Sequence, residues 1–114
     1  MSMPKTSTVV AFLALFLGAC GATETHHVLT GHARDQYSGN VRVRMEGQGQ
    51  PADFREIAIV QAKCSGSHAD LEHVIAGLRQ QAAWVGCDTI VRIHFDKGAS
   101  NASGTGVCGT SSGD

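Results

Sequence analysis

Between Ala69 and Val85 the residues Leu71, Val74, Ile75, Leu78, Ala82 and Val85 recur at spacings of three and four. That places them on one apolar stripe of a helix of about five turns. Ser67 is positioned to cap it with Asp70 three residues on, the acids Asp70 and Glu72 suit its positive N-terminal end, and Gly86 suits a left-handed C-terminal cap. One amphipathic helix can cover only one face of a sheet. Strands built beside it must therefore alternate, apolar toward the helix and polar away from it.

The flanking segments alternate in that way. In VRVRME, residues 41 to 46, Val41, Val43 and Met45 interleave with Arg42, Arg44 and Glu46, the period of a half-buried strand. GQGQPAD supplies turn residues, and Phe54 to Ile57 reads as a single helical turn. IAIVQA, residues 57 to 62, is more continuously apolar and reads as a central strand. After the helix, TIVRIHFD, residues 89 to 96, puts Val91, Ile93 and Phe95 on one face and Arg92, His94 and Asp96 on the other. The glycine-rich GTGVCGT, residues 104 to 110, reads as a last strand at an edge. The fold class expected is α+β, a two-layer α/β sandwich of β-β-α-β-β order with one long helix on one face of a small mixed sheet. Its open face would show Arg42, Arg44, Arg92 and His94.

The N-terminus has a different character. Lys5 precedes Val9 to Leu17, nine uninterrupted apolar residues, too few to span a bilayer, which takes about 20, but suited to the apolar region of a secretory signal. The stretch Leu17-Gly18-Ala19-Cys20 resembles the bacterial lipobox. That resemblance implies cleavage before Cys20 and acylation of its thiol, with several chains giving firm attachment where one holds only marginally. Gly21, in place of the aspartate that retains lipoproteins at the inner membrane, leans toward the periplasmic face of the outer membrane. The expected organisation is a signal peptide over 1–19, a lipidated flexible tether over 20–39, a domain over 40–110 and a disordered tail over 111–114. A flexible Gly21–Gly39 segment would reach about 20 to 25 Å, enough to lift the domain off a lipid surface.

A formal net charge of −1 and 5% aromatic residues exclude nucleic acid as an expected partner, since both the electrostatic footprint and the stacking platforms are missing. Four cysteines, Cys20, Cys64, Cys87 and Cys108, leave three after the lipid anchor. An oxidising envelope favours one disulfide and one free thiol. If the helix returns the chain past the sheet, Cys64 and Cys87 end up at opposite ends, about 20 Å apart. A hairpin of the last two strands would bring Cys108 back to Cys87.

The segments VRVRMEGQGQPADFREIAIVQA and LEHVIAGLRQQAAWVGCDTIVRIHFDKGASNASGTGV resemble a family of small bacterial lipoproteins of uncharacterised function, similar in architecture to RcsF-like envelope-stress lipoproteins and YbjQ-like domains. The marks are PADF, the helix centre Leu78 to Ala83, the GCD turn at Gly86 to Asp88 and the closing G-x-G-V-x-G. The resemblance implies an envelope protein that works by contact with other proteins, with at most a ligand-binding role. Relatives of this kind carry GCD without a matching late cysteine, which leaves Cys64 to Cys108 as the alternative bridge.

Catalytic signatures do not emerge: Asp70, Glu72 and Asp88 sit at a helix start and a turn, where acids serve structure, and no cofactor is expected. His26, His27 and His32 fall in the tether, and His68 and His73 do not share a helix face. No metal site is assigned. The sequence thus predicts a non-catalytic, membrane-anchored interaction or sensing module with an envelope partner. The alternative is a periplasmic metal or small-ligand binder using histidines and a free thiol.

Overall fold

The computed structural model describes residues 23–112. The expected leader and Cys20 lie outside the described residues, as do 113 and 114. The elements are β1 (Glu24–Leu29), β2 (Arg42–Met45), β3 (Arg55–Ser65), α1 (Leu71–Trp84), β4 (Thr89–Lys97) and β5 (Asn101–Thr110), with a 3-10 turn at Gly66–His68 before the helix. One helix packs on a five-stranded mixed sheet of order β1-β3-β5-β4-β2. The fold is α+β. Only β2 and β4 run parallel; the other neighbours are antiparallel.

The expected two strands, helix and two strands are present, preceded by a strand the sequence did not reveal. β1 falls in what was expected to be tether, and it pairs with β3 from Glu24↔Lys63 to Leu29↔Ala58. Its helix-facing residues are polar, so no apolar alternation marks it. Thr25 lies beneath Gly77 of α1, where an added Cβ would approach its methyl to 3.4 Å, and His27 hydrogen-bonds Gln81. Downstream, the Arg34 and Tyr37 amides donate to the carbonyls of Val85 and Ala83 at the helix end, and Tyr37 packs on the core. Residues 23–39 are part of the domain.

α1 starts one turn later than predicted. Its N-cap is Asp70, whose carboxylate accepts from the His73 amide at 2.9 Å, and Ser67 belongs to the preceding 3-10 turn. Its end is as expected. Gly86 has φ +93, with Cys87 N–H donating to Ala82 and Gly86 N–H to Ala83, a Schellman motif. Val74, Leu78 and Ala82 are fully buried against Ala58, Val60, Ala62 and Cys64 of β3 and Ile90 and Ile93 of β4.

The glycine-rich strand is central, not at an edge. β5 lies between β3 and β4 because its glycines make room: a Cβ on Gly104 would stand 2.6 Å from a Val74 methyl, and one on Gly106 2.7 Å from Ile90. β4 bulges opposite, with Arg92 at φ 53. The extra residue turns both Ile90 and Ile93 toward the helix side of Gly106. Cys87 and Cys108 form a disulfide with Cα atoms 5.7 Å apart, and Cys64 is a buried free thiol. Of the segment Phe54 to Ile57, expected as a helical turn, Arg55 to Ile57 instead start β3, and the Phe54 amide closes the preceding turn on the Pro51 carbonyl.

The C-terminus is also held. Asp53 accepts from Ser111 Oγ at 2.9 Å, from the Ser112 amide at 2.8 Å and from Ser112 Oγ, while Asp88 accepts from the Ser111 amide. Residues 111 and 112 are therefore ordered by hydrogen bonds that a composition of serine and glycine does not advertise.

Candidate functional site

Among the described residues no helix covers the face of the sheet away from α1, and strand register orders its residues into bands. Side chains one strand position apart alternate between faces. Val28, Ile59, Val107 and Val91 are direct cross-strand neighbours on the open face. Val28 is 64% exposed and Ile59 43%, whereas Val91 is buried apart from the main core cluster. Two positions along lies a polar band, His26, Gln61, Thr105 and His94. Beyond it lies a charged one, Glu24, Lys63, Ser103 and Asp96.

The four residues expected on this face are spread along one seam. Arg42 aligns with Thr89 and Met45 with Ile93, so Arg42 and His94 stand about five strand positions apart, roughly 16 Å at 3.3 Å per residue. Each described partner is internal to the domain. Arg42 Nη2 donates to the Ser111 carbonyl at 2.9 Å and lies 3.4 Å from Asp88, fastening the C-terminal segment. Arg92 Nη2 lies 3.8 Å from Glu56, an exposed pair contributing about 0 to 1 kcal/mol. Arg44 is half-buried beside them. His94 bridges two carboxylates, with Nδ1 3.0 Å from Glu46 and Nε2 3.2 Å from Asp96. The Glu46 hydrogen bond, together with the field of Asp96, raises its pKa above the usual histidine value. Glu46, which follows β2, and Asp96 of β4 thus both engage the histidine.

The sequence overlooked the apolar band itself. Val28 sits in an unrecognised strand, and Ile59 is embedded in the run IAIV, where register alone separates the open-face residue from its buried neighbours. Asp53, whose pKa is lowered to about 2 by the hydrogen bonds of Ser112 and then Ser111, was also unforeseen.

Two of the six histidines meet. His68 lies in the 3-10 turn, so ideal-helix spacing does not govern it, and its ring stands edge-on to that of His73 with centroids 4.3 Å apart. His73 Nδ1 is 2.7 Å from Asp70, which caps the helix, and His68 Nδ1 has no hydrogen-bond partner. Among the described residues no group of three or more His, Cys, Asp or Glu is placed to hold a metal ion. No helix among them is long and apolar enough to cross a membrane.

No family model and no curated protein sequence matches the chain. A solved structure, that of the Francisella virulence factor FvfA, is similar to 75% of this chain over 96% of its own length, at 15% identity and a TM-score of 0.42. That likeness is too slight to transfer an activity.

Proposed function

We propose that the chain is a lipid-anchored bacterial envelope protein, held through an acylated Cys20 at the periplasmic face of the outer membrane, whose open sheet face binds another envelope protein without catalysing a reaction. The observation that carries the binding reading is the exposed apolar band of Val28 and Ile59, continuous with Val107 and Val91 and bordered by Arg92 and Glu56. Apolar side chains clustered on this face, with an ion pair on one side and a polar band on the other, suit protein contact better than solvent. Anchoring is supported by the apolar run ending at Leu17-Gly18-Ala19-Cys20.

A photo-crosslinking amino acid at Ile59 should trap a reproducible envelope protein in intact cells, whereas the same group at exposed Gln80 on the helix should not. Equal recovery at both positions, or recovery at neither, would defeat the reading. Intact-mass measurement tests the anchor, which requires an acylated Cys20 as first residue.

The contact of His68 and His73 favours a second reading, binding of a metal or small ligand. A raised melting midpoint in saturating Zn²⁺, lost in H73A, would support it by mass action. No shift would retire it.

A further inference from the structure

Resting on the anchor just proposed, we infer that the domain stands directly on the bilayer, with the end of the sheet that carries the Gly66–His68 turn and the β4–β5 hairpin facing the lipid headgroups. Only Gly21, Ala22 and Thr23 separate Cys20 from β1. Four Cα steps span at most about 14 Å, whatever the conformation of those residues. Thr23 is itself fixed to the fold, its hydroxyl donating to Cys64 Sγ at 3.4 Å and its methyl 3.7 Å from the position a Gly77 Cβ would take.

The other groups at that end follow from register. Lys63 pairs with Glu24, Ser65 with Asn101, the Gly66 amide donates to the Ser100 carbonyl, and Lys97 Nζ reaches the Ala69 carbonyl. Both turns are exposed and built of small or polar residues, Gly66, Ser67, Gly98, Ala99, Ser100 and Asn101, which suits a headgroup surface and offers nothing to insert among acyl chains. Lys63 and Lys97 are outnumbered at this end by Glu24, Asp70, Glu72 and Asp96, so attraction to anionic headgroups does not set the orientation and the short anchor does. The opposite end, holding Asp53, Asp88 and Ser112, lies farther out by the length of β3, about 33 Å.

The same arithmetic limits the partner. Val28 is five residues from Thr23, so the apolar band stays within about 30 Å of Cys20 in every tilt. The protein that binds this band therefore meets it within about 30 Å of the bilayer.

Trp84 is the single tryptophan of the chain and stands at the far end of α1 from the bilayer-facing turns. The lipidated full-length protein, reconstituted in phosphatidylcholine vesicles bearing a nitroxide on the headgroup, should show weak quenching of Trp84 and several-fold stronger quenching in S100W/W84F. Inserting about fifteen Gly/Ser residues between Ala22 and Thr23, a segment of roughly 20 Å reach, should bring S100W/W84F down to the Trp84 level. Equal quenching at both positions, or near-end quenching that survives the insertion, overturns the inference while an acylated mass leaves the anchor intact. An unmodified Cys20 overturns both.

Discussion

The two faces of the sheet obey opposite rules. On the helix side, β5 presents Ala102, Gly104, Gly106 and Cys108 and β3 presents Ala58, Val60, Ala62 and Cys64, nearly all fully buried. Small side chains let Val74, Leu78 and Ile90 interlock at close range. On the open side the same strands carry Ile59, Gln61, Lys63, Thr105 and Val107, spaced in bands and largely exposed. One face is selected for fit; the other tolerates apolar groups that stability does not need.

That contrast can be broken most forcefully at its centre. Leu78→Ala should cost about 3 kcal/mol, within the 2 to 5 typical of a filled core, whereas Ile59→Ala should cost about 1 kcal/mol or less because much of the side chain already meets water. Urea midpoints at constant slope measure both, and similar losses would show the open face to be covered. Removing the disulfide in C87A/C108A should cost roughly 3 kcal/mol, since the bridge closes a loop of 21 residues in the unfolded chain. Gly104→Ala should cost about 1 to 3 kcal/mol, because Val74 must move from an added methyl. Its open-face neighbour Ser103→Ala should stay within about 0.5 kcal/mol.

The smallest effects are electrostatic. A histidine with a raised pKa contributes stability that is complete below its unfolded value, 6.5, and fades as pH rises through the raised value. The difference in urea midpoint between the native chain and H94Q should therefore shrink from pH 6 to pH 8. Asp53 has the opposite sign: its contribution is complete above 3.8 and is lost as pH falls toward about 2. D53N should erase that acid limb.

Helix α1 was legible because its buried residues are apolar and regularly spaced. β4 was legible as a strand, but strict alternation put Val91 with Ile93 and Phe95, whereas the bulge at Arg92 leaves Val91 on the open face and turns Ile90 and Ile93 toward the helix. β1 was not legible, since Thr25 and His27 line the helix side and find their partners, Gly77 and Gln81, half the chain away. β5 was legible as a strand but misplaced, because glycine weakens a strand read alone and becomes an advantage only once Val74 and Ile93 are set against it. On the open face the separate residues could be named. Their banding could not, because it depends on a register between β1, β3 and β5 that no single segment encodes.

Among the described residues the last strand in chain order is the one in the middle. Without Asn101–Thr110 in place, β3 and β4 each keep an unpaired edge, and the β1–β3 and β4–β2 pairs remain two unconnected ribbons. Closure of the sheet therefore depends on pairing β5 with β3, a contact between segments far apart in sequence, and comes after the local pairs. A truncation there removes the keystone instead of trimming a tail.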